Sequence, residues 1–382
     1  MTDLVVISLE NWDEVWRRNQ HLIAGLLQNG TVGRVLFVEP AIDALHEIRR
    51  GRRLSVRGRG LRKVRLEGGV GELWAYRPLK SLPRRLDPHG DTRRAREVKR
   101  VAQSLSMKDP VLWVNDPGGA EVMDATGWTS LYDITDDWLV ADRPTQELSR
   151  LRRQESRLFE RTREVVVCSE SLRVDKSAYR PVVLVPNAVD LAPYRKLAPR
   201  PLDLPPARVA LYVGTTHRDR VDVDLCIRTA SVLRREDAHL VLVGPHPLSS
   251  SDLGALREAG VMLLGPRRSN EVPAYLQHAD VLLVPHVVSD FTQSLDPIKA
   301  YEYAAANRLV VSTPVQGFVD RDDRRVLVVE ATSFPEAVAN TLSAARAWSP
   351  PDESAIPSWA DRVEMMGGVL SRLNGRPGTG AE

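Results

Sequence analysis

The chain has 382 residues, of which 43% are apolar and 27% charged, and its formal net charge is +3. That length exceeds what a single hydrophobic core usually supports, so two domains are expected. No apolar run approaches the ~20 residues that span a bilayer. Asp3 leads straight into the first apolar stretch, without the basic start and small-residue cleavage site of a signal peptide, so the chain reads as cytosolic. Its only cysteines, Cys168 and Cys226, fit two buried reduced thiols better than a disulfide or a metal site.

Residues 3–9 read as a buried strand. Trp16, Leu22, Ile23, Leu26 and Leu27 give the stretch Trp12 to Gln28 helical periodicity, and Val35 to Val38 reads as a second strand. Arg49 to Arg65 holds nine Lys or Arg and no acid, a block able to meet anionic lipid, acceptor phosphates or nucleic acid, or to stand as a solvated hairpin. Residues 54–76 read as β-rich or irregular and 90–107 as a basic helix. Short strands follow at 111–114 and 130–134, then a charged helix at 144–162 and strands at 165–168 and 182–185.

Leu197 to Pro206 contains Pro199, Pro201, Pro205 and Pro206, a stiff linker at which the domain boundary is expected. Beyond it, strands at 208–213, 239–243, 261–264, 280–284 and 309–312 alternate with helices at 221–235, 251–259, 270–278 and 297–306. Apolar strands alternating with helices imply a parallel sheet covered on both faces. Helices from Ser333 to Trp348 and from Trp359 to Leu373 close the fold, and the tail NGRPGTGAE carries no core-forming residue and reads as disordered.

Open parallel sheets bind ligands at the carboxyl ends of their strands. There the second half places Gly214, Thr215, Arg218 and Arg220 after one strand, which suits a diphosphate, and Gly265 with Arg267 after another, where small residues admit a flat base. Pro297 opens a helix on which Lys299 lies in the first turn and Glu302 three residues on, on the same face. The cation suits phosphate and the carboxylate both ribose hydroxyls; the pair also reads as a surface ion pair.

From residue 208 to Pro314 the stretches LYVGTTHRDRVDVDLCIRTA, LVLVGP, LLGPRR, EVPAYLQHADVLLVPH and SLDPIKAYEYAAANRLVVSTP resemble the donor-binding half of GT-B glycosyltransferases. SLENWDEVWRRNQHLIAGLL, VLFVEP, LYDITDDW, CSESLRV and VPNAVD extend the resemblance over the first half, to bacterial family-1 and family-4 enzymes of the cell-surface polysaccharide type. The resemblance implies two Rossmann-like doubly wound domains facing a cleft. Expected bounds are 1–196 for the acceptor domain, 207–350 for the donor domain, 351–374 for a helix crossing back and 375–382 for the tail.

The resemblance further implies that Glu302 binds the donor ribose, Lys299 and Arg220 the diphosphate, and the loop from Asp290 through Phe291 and Thr292 to Ser294 the phosphates or sugar. The retaining branch carries a second Glu eight residues before the ribose-binding one, where this chain has Ser294. A basic residue is common after the glycine of the VG turn, where this chain has Thr215. Retaining and inverting outcomes therefore both stay open, as do the base, the sugar and the acceptor.

In the first half, Asp137 is the preferred general base on an acceptor hydroxyl for an inverting reaction, with Asp136 second and a helix-cap role as the alternative. Asp133 reads as a structural hydrogen-bonder. Glu10, Asn11 and Trp12 are candidate acceptor contacts, His21 reads as a packed histidine, and Asn187 as a turn former at the junction.

The expected activity is transfer from a nucleotide sugar, UDP-linked first, to a saccharide or lipid-linked acceptor. No cofactor or metal is expected, since no D-x-D triplet is read as a metal site. Peripheral contact with anionic membrane through Arg49 to Arg65 is an expected partnership, and nucleic acid is not. The alternatives are a nucleotide-sugar 2-epimerase of the same fold, or a polyanion-binding nucleotide sensor without catalysis.

Overall fold

The computed structural model describes every residue except 14–15, 44–59, 67, 81, 84, 141–143, 320–321, 374 and 376–382. Of the basic block, only 60–65 falls among the described residues, and nearly all of the tail lies outside them.

The chain opens with β1 (Thr2–Ile7), α1 (Arg18–Gln28), β2 (Val32–Val38) and the short β3 (Ile42–Asp43). Then come β4 (Gly60–Val64), β5 (Glu72–Arg77), β6 (Leu79–Lys80), α2 (Gly90–Ser104), β7 (Val111–Val114), α3 (Ala120–Thr126) and β8 (Ser130–Ile134). The first half closes with α4 (Thr145–Arg161), β9 (Glu164–Val167), α5 (Glu170–Lys176) and β10 (Val183–Leu184). Among the described residues these strands form one sheet in the order β10-β9-β8-β7-β1-β2-β5-β4, in which β4 alone runs antiparallel, and a β3-β6 pair. Strands buried on both faces, such as Val111–Val114, read as continuous apolar runs for that reason.

The second half contains β11 (Arg208–Val213), α6 (Val223–Arg235), β12 (Ala238–Val243), α7 (Ser250–Glu258), β13 (Met262–Leu263), α8 (Val272–His278) and β14 (Val281–Val284). It continues with α9 (Asp290–Gln293), α10 (Ile298–Ala306), β15 (Leu309–Ser312), β16 (Val326–Val328), α11 (Phe334–Ser343) and α12 (Trp359–Leu373). Its strands pair in parallel in the order β13-β12-β11-β14-β15-β16. That order reverses between β11 and β14, the switch point at which a doubly wound sheet opens a crevice at its carboxyl edge.

Two compact units result, Met1–Pro186 with Ala360–Glu382, and Asn187–Trp359. The division falls at Pro186, ahead of the proline-rich linker where the sequence reading put it. The physical reason is that the chain after Pro186 is already packed: Val189, Leu191, Tyr194 and Leu204 belong to the core of the second unit. The Asn187 N–H also donates to Asp296 Oδ2 at 2.6 Å.

Other differences have local causes. α1 starts at Arg18 and not at Trp12, because the Trp12 N–H is held by Glu39 Oε1 at 2.8 Å and the Arg17 N–H by Gln20 Oε1 at 3.0 Å. α11 stops at Ser343, short of Trp348; the Arg346 carbonyl accepts from Arg308 Nη1 at 2.6 Å. The loop after β14 contains the four-residue α9, nucleated by Ser289 Oγ accepting the Thr292 N–H at 3.3 Å.

Candidate functional site

In the second unit three consecutive strand ends turn on glycine. The Gly214 N–H donates to the Val243 carbonyl at 2.9 Å and the Gly244 N–H to the Gly265 carbonyl at 2.8 Å, so the carboxyl edge of β11, β12 and β13 presents a row of small residues. A Cβ at Gly244, whose φ is +139°, would come within 2.2 Å of the Gly214 carbonyl oxygen, so only glycine fits. A Cβ at Gly265 would meet nothing within 4 Å, which leaves that strand end open.

Lys299, in the first turn of α10, reaches the switch point. Its Nζ donates to Tyr212 Oη at 2.8 Å, lies 3.3 Å from His286 Nε2, and sits 4.0 Å from the Tyr212 ring centroid. Tyr212 comes from β11 and His286 from the turn after β14, so the two strands flanking the reversal supply the lysine's neighbours. A Cβ at Gly214 would stand 3.0 Å from Nζ, and the absent side chain is what admits the lysine.

Burial sets the electrostatics. Lys299 is pushed down to about 7, mainly by desolvation and then by the Arg220 charge, with Glu302 opposing. Glu302 is pushed up to about 7 by desolvation, with Lys299 opposing. His286 is held well below the usual imidazole range by burial and by Lys299 and Arg220, so it is neutral. The Arg220 guanidinium lies over the Phe291 ring, 5.0 Å from its centroid. Two cations and one carboxylate thus sit at a glycine-lined strand edge, which is the chemistry that takes a diphosphate and a ribose.

The other residues expected at the donor have partners of their own. Arg218 is exposed and paired with Asp252 at 2.7 Å, and Arg267 is engaged by Asp203 and by Tyr275 Oη at 2.7 Å. Thr292 is buried, its hydroxyl donating within its own turn to Val287 O at 2.8 Å, and Ser294 Oγ donates to Phe291 O at 2.8 Å. Thr215 offers its carbonyl to Tyr212 Oη at 3.4 Å. Sequence reasoning missed Tyr212 and His286; nothing in the spacing of a strand tyrosine and a loop histidine marks them, since their meeting depends on the β11-β14 adjacency.

In the first unit the strand-end acids separate into two groups. Asp133 is fully buried and held by Arg18 Nη2 at 3.3 Å, Trp113 Nε1 at 3.1 Å and Asn115 Nδ2 at 3.1 Å, as the sequence implied for a structural hydrogen-bonder. Asp137 is ion-paired: its Oδ2 accepts from the buried Lys176 at 3.1 Å and its Oδ1 from the Leu139 N–H at 3.1 Å. Asp136 is half-buried, with Thr135 Oγ1 at 3.3 Å from its Oδ2.

Glu10, on the loop after β1, is pushed up to about 7, chiefly by burial; Arg17 opposes, and the negative Asp136 and Asp13 add to the rise. Its Oε1 lies 3.4 Å from Arg17 Nε. Trp12 packs edge-on against Phe37 at 5.1 Å and Trp16 at 6.1 Å. Asn11 contributes its carbonyl to Gln20 Nε2 at 3.2 Å, while its buried Oδ1 has no hydrogen-bond partner among the described residues. His21 is pushed down to about 4 by burial alone, which suits a packed ring. Within the basic block, Arg62 is paired with Glu39 at 2.6 Å and Lys63 with Glu72 at 2.5 Å.

Residues 207–346 match the family described as Glycosyl transferases group 1. A curated Bacillus subtilis protein, named as a teichuronic acid biosynthesis glycosyltransferase, TuaH, is 28% identical over 219 residues; the match covers 53% of this chain and 55% of that protein. This chain thus spans about half the length of that relative. Sucrose-phosphate synthase from Thermosynechococcus elongatus superposes with a TM-score of 0.71 at 16% identity, covering 98% of this chain and all of the other. HepE of Anabaena, solved in complex with UDP-glucose, superposes with a TM-score of 0.62 at 11% identity, covering 98% of each. Residues 207–346 are therefore similar to a glycosyl transferases group 1 domain, and the chain as a whole has the GT-B fold.

Proposed function

We propose that the chain transfers a sugar from a nucleoside diphosphate sugar, UDP-linked first, to a saccharide or lipid-linked acceptor in cell-surface polysaccharide or glycolipid synthesis. The observation that carries this reading is Lys299 at the switch point with Glu302 one turn along the same helix. Similarity to a protein named for teichuronic acid biosynthesis and to one solved with UDP-glucose supports the substrate class.

Lys299 and Arg220 meet the diphosphate and Glu302 accepts the ribose hydroxyls, so the leaving charge is neutralised by side chains without a metal. Residues 214 and 265 give the base and phosphates close access to backbone. In an inverting transfer, Glu10 takes the acceptor hydroxyl's proton, with Asp136 holding its proton affinity up; the new C–O bond forms as the nucleoside diphosphate leaves with the old bond's electron pair. Asn11 and Trp12 lie on the same loop and serve the acceptor.

The test is a thermal-shift panel of UDP, GDP and dTDP sugars on the full chain, followed by product analysis with and without acceptor. A binding sugar at ~100 times its dissociation constant adds roughly 2.7 kcal/mol of stability. Stabilisation by no member of the panel rejects the reading, and donor conversion without acceptor redirects it to epimerisation. Peripheral contact with anionic membrane through Arg49 to Arg65 belongs to the same proposal. Replacing Arg49, Arg50, Arg52 and Arg53 by Ser is expected to abolish liposome pelleting, and a wild type that does not pellet removes that part.

A further inference from the structure

We propose that His286 and Tyr212 are positioning residues that hold the Lys299 ammonium between two neutral acceptors and leave its remaining N–H for a diphosphate oxygen. The inference rests on the nucleoside diphosphate reading of this site. Its basis is a count of directions. An ammonium has three N–H donors; Tyr212 Oη accepts one at 2.8 Å, and His286 Nε2, 3.3 Å from both Nζ and Tyr212 Oη, is placed to accept a second. Neither acceptor carries a charge to cancel the lysine's own, in contrast to a carboxylate partner, so the positive charge stays available to an anion.

The arrangement needs His286 to be neutral with its proton on Nδ1, and burial beside Lys299 and Arg220 keeps it neutral. The ring is fixed from behind through its backbone: the His286 N–H donates to Thr313 Oγ1 at 3.2 Å, and Thr313 Oγ1 donates to the His286 carbonyl at 2.8 Å. Among the described residues, the titratable or charged groups recorded as acting on the lysine are Tyr212 from β11, Arg220 from the following loop, His286 from the turn after β14, and Glu302 from its own helix. Arg220 disfavours the ammonium, and the two acceptors and Glu302 favour it. Removing an acceptor therefore lowers the pH at which the ammonium is lost.

The experiment measures UDP affinity calorimetrically from pH 6 to pH 9 for the full wild-type chain and for His286→Phe, His286→Gln, Tyr212→Phe and Lys299→Met. His286→Phe and Tyr212→Phe are each expected to bind about tenfold more weakly at pH 8, the size of a lost charged hydrogen bond. The alkaline fall in their affinity should begin at lower pH than in the wild type. His286→Gln keeps an acceptor and should restore the wild-type pH course.

Weakening by the same factor at every pH, or no rescue by Gln, means that His286 only packs and overturns the inference. Circular dichroism and melting of each variant separate misfolding from loss of the contact, and Tyr212→Phe retains the ring if His286→Phe fails to fold. Undiminished UDP binding by Lys299→Met overturns the underlying site reading instead, so the two failures are distinguishable.

Discussion

Both units bring charged residues to the carboxyl edge of a parallel sheet, yet the two edges treat them in opposite ways. In the first unit the acids are met by full internal charges, Asp133 by Arg18 and Asp137 by Lys176. In the second, Lys299 is met by a phenol and a neutral imidazole. A buried charge ion-paired with its opposite is part of the framework; Lys299, whose hydrogen-bond partners are neutral although Glu302 also favours its charge, keeps field for a ligand. The comparison explains why position at a strand end does not by itself pick the reactive group, and it motivates the proposal of Glu10, beside Asp136, as the base.

The largest effect that sharpens this contrast is Arg18→Ala. It strands Asp133, which is fully buried, and is expected to cost about 3 to 5 kcal/mol of stability in urea unfolding, the range for breaking a buried pair. A loss below about 1 kcal/mol, the worth of a surface pair, would remove the distinction between framework and functional charges. Next is Glu10→Gln, for which turnover should fall about 100-fold or more while nucleotide affinity and melting temperature stay near wild type. Asp137→Asn should show the reverse, a lower melting temperature with turnover retained.

pH dependence follows from the second unit. Lys299 is pushed down to about 7, so its ammonium is present below that pH and lost above it. Bound phosphate raises its proton affinity again, so UDP affinity should fall by up to ~10-fold for each pH unit above about 7. Because Glu302 also sits near 7 and opposes Lys299, the two titrate as a coupled pair, and the fall should be read as a property of both. Smallest of all is Arg218→Ala: an exposed residue paired with Asp252 should change UDP affinity by less than about threefold, the reach of a surface ion pair. A larger loss would put Arg218 back among the donor contacts.

Five of the second unit's six described strands were legible almost to the residue, because runs such as β11 and β15 are the apolar segments that a two-faced parallel sheet requires, whereas the short, partly exposed β16 was not read. Lys299 and Glu302 were legible as a pair because helical spacing is a local property. What stayed hidden depended on distant contacts. The unit division moved to Pro186 because Asp296, more than a hundred residues later, accepts from Asn187. The ion pair of Asp137 stayed hidden because its partner, Lys176, lies on a helix that the sequence reading did not predict. Tyr212 and His286 carry no periodic or motif signal, and only the pairing of β11 with β14 brings them to one lysine.

The most direct measurement of the central claim is a calorimetric titration of UDP into the full chain and into Lys299→Met and Glu302→Gln at pH 7. Saturable one-site binding by the wild type is expected, weakened about tenfold or more in each variant with the fold intact. Equal affinity in all three, or no binding by the wild type, would contradict it.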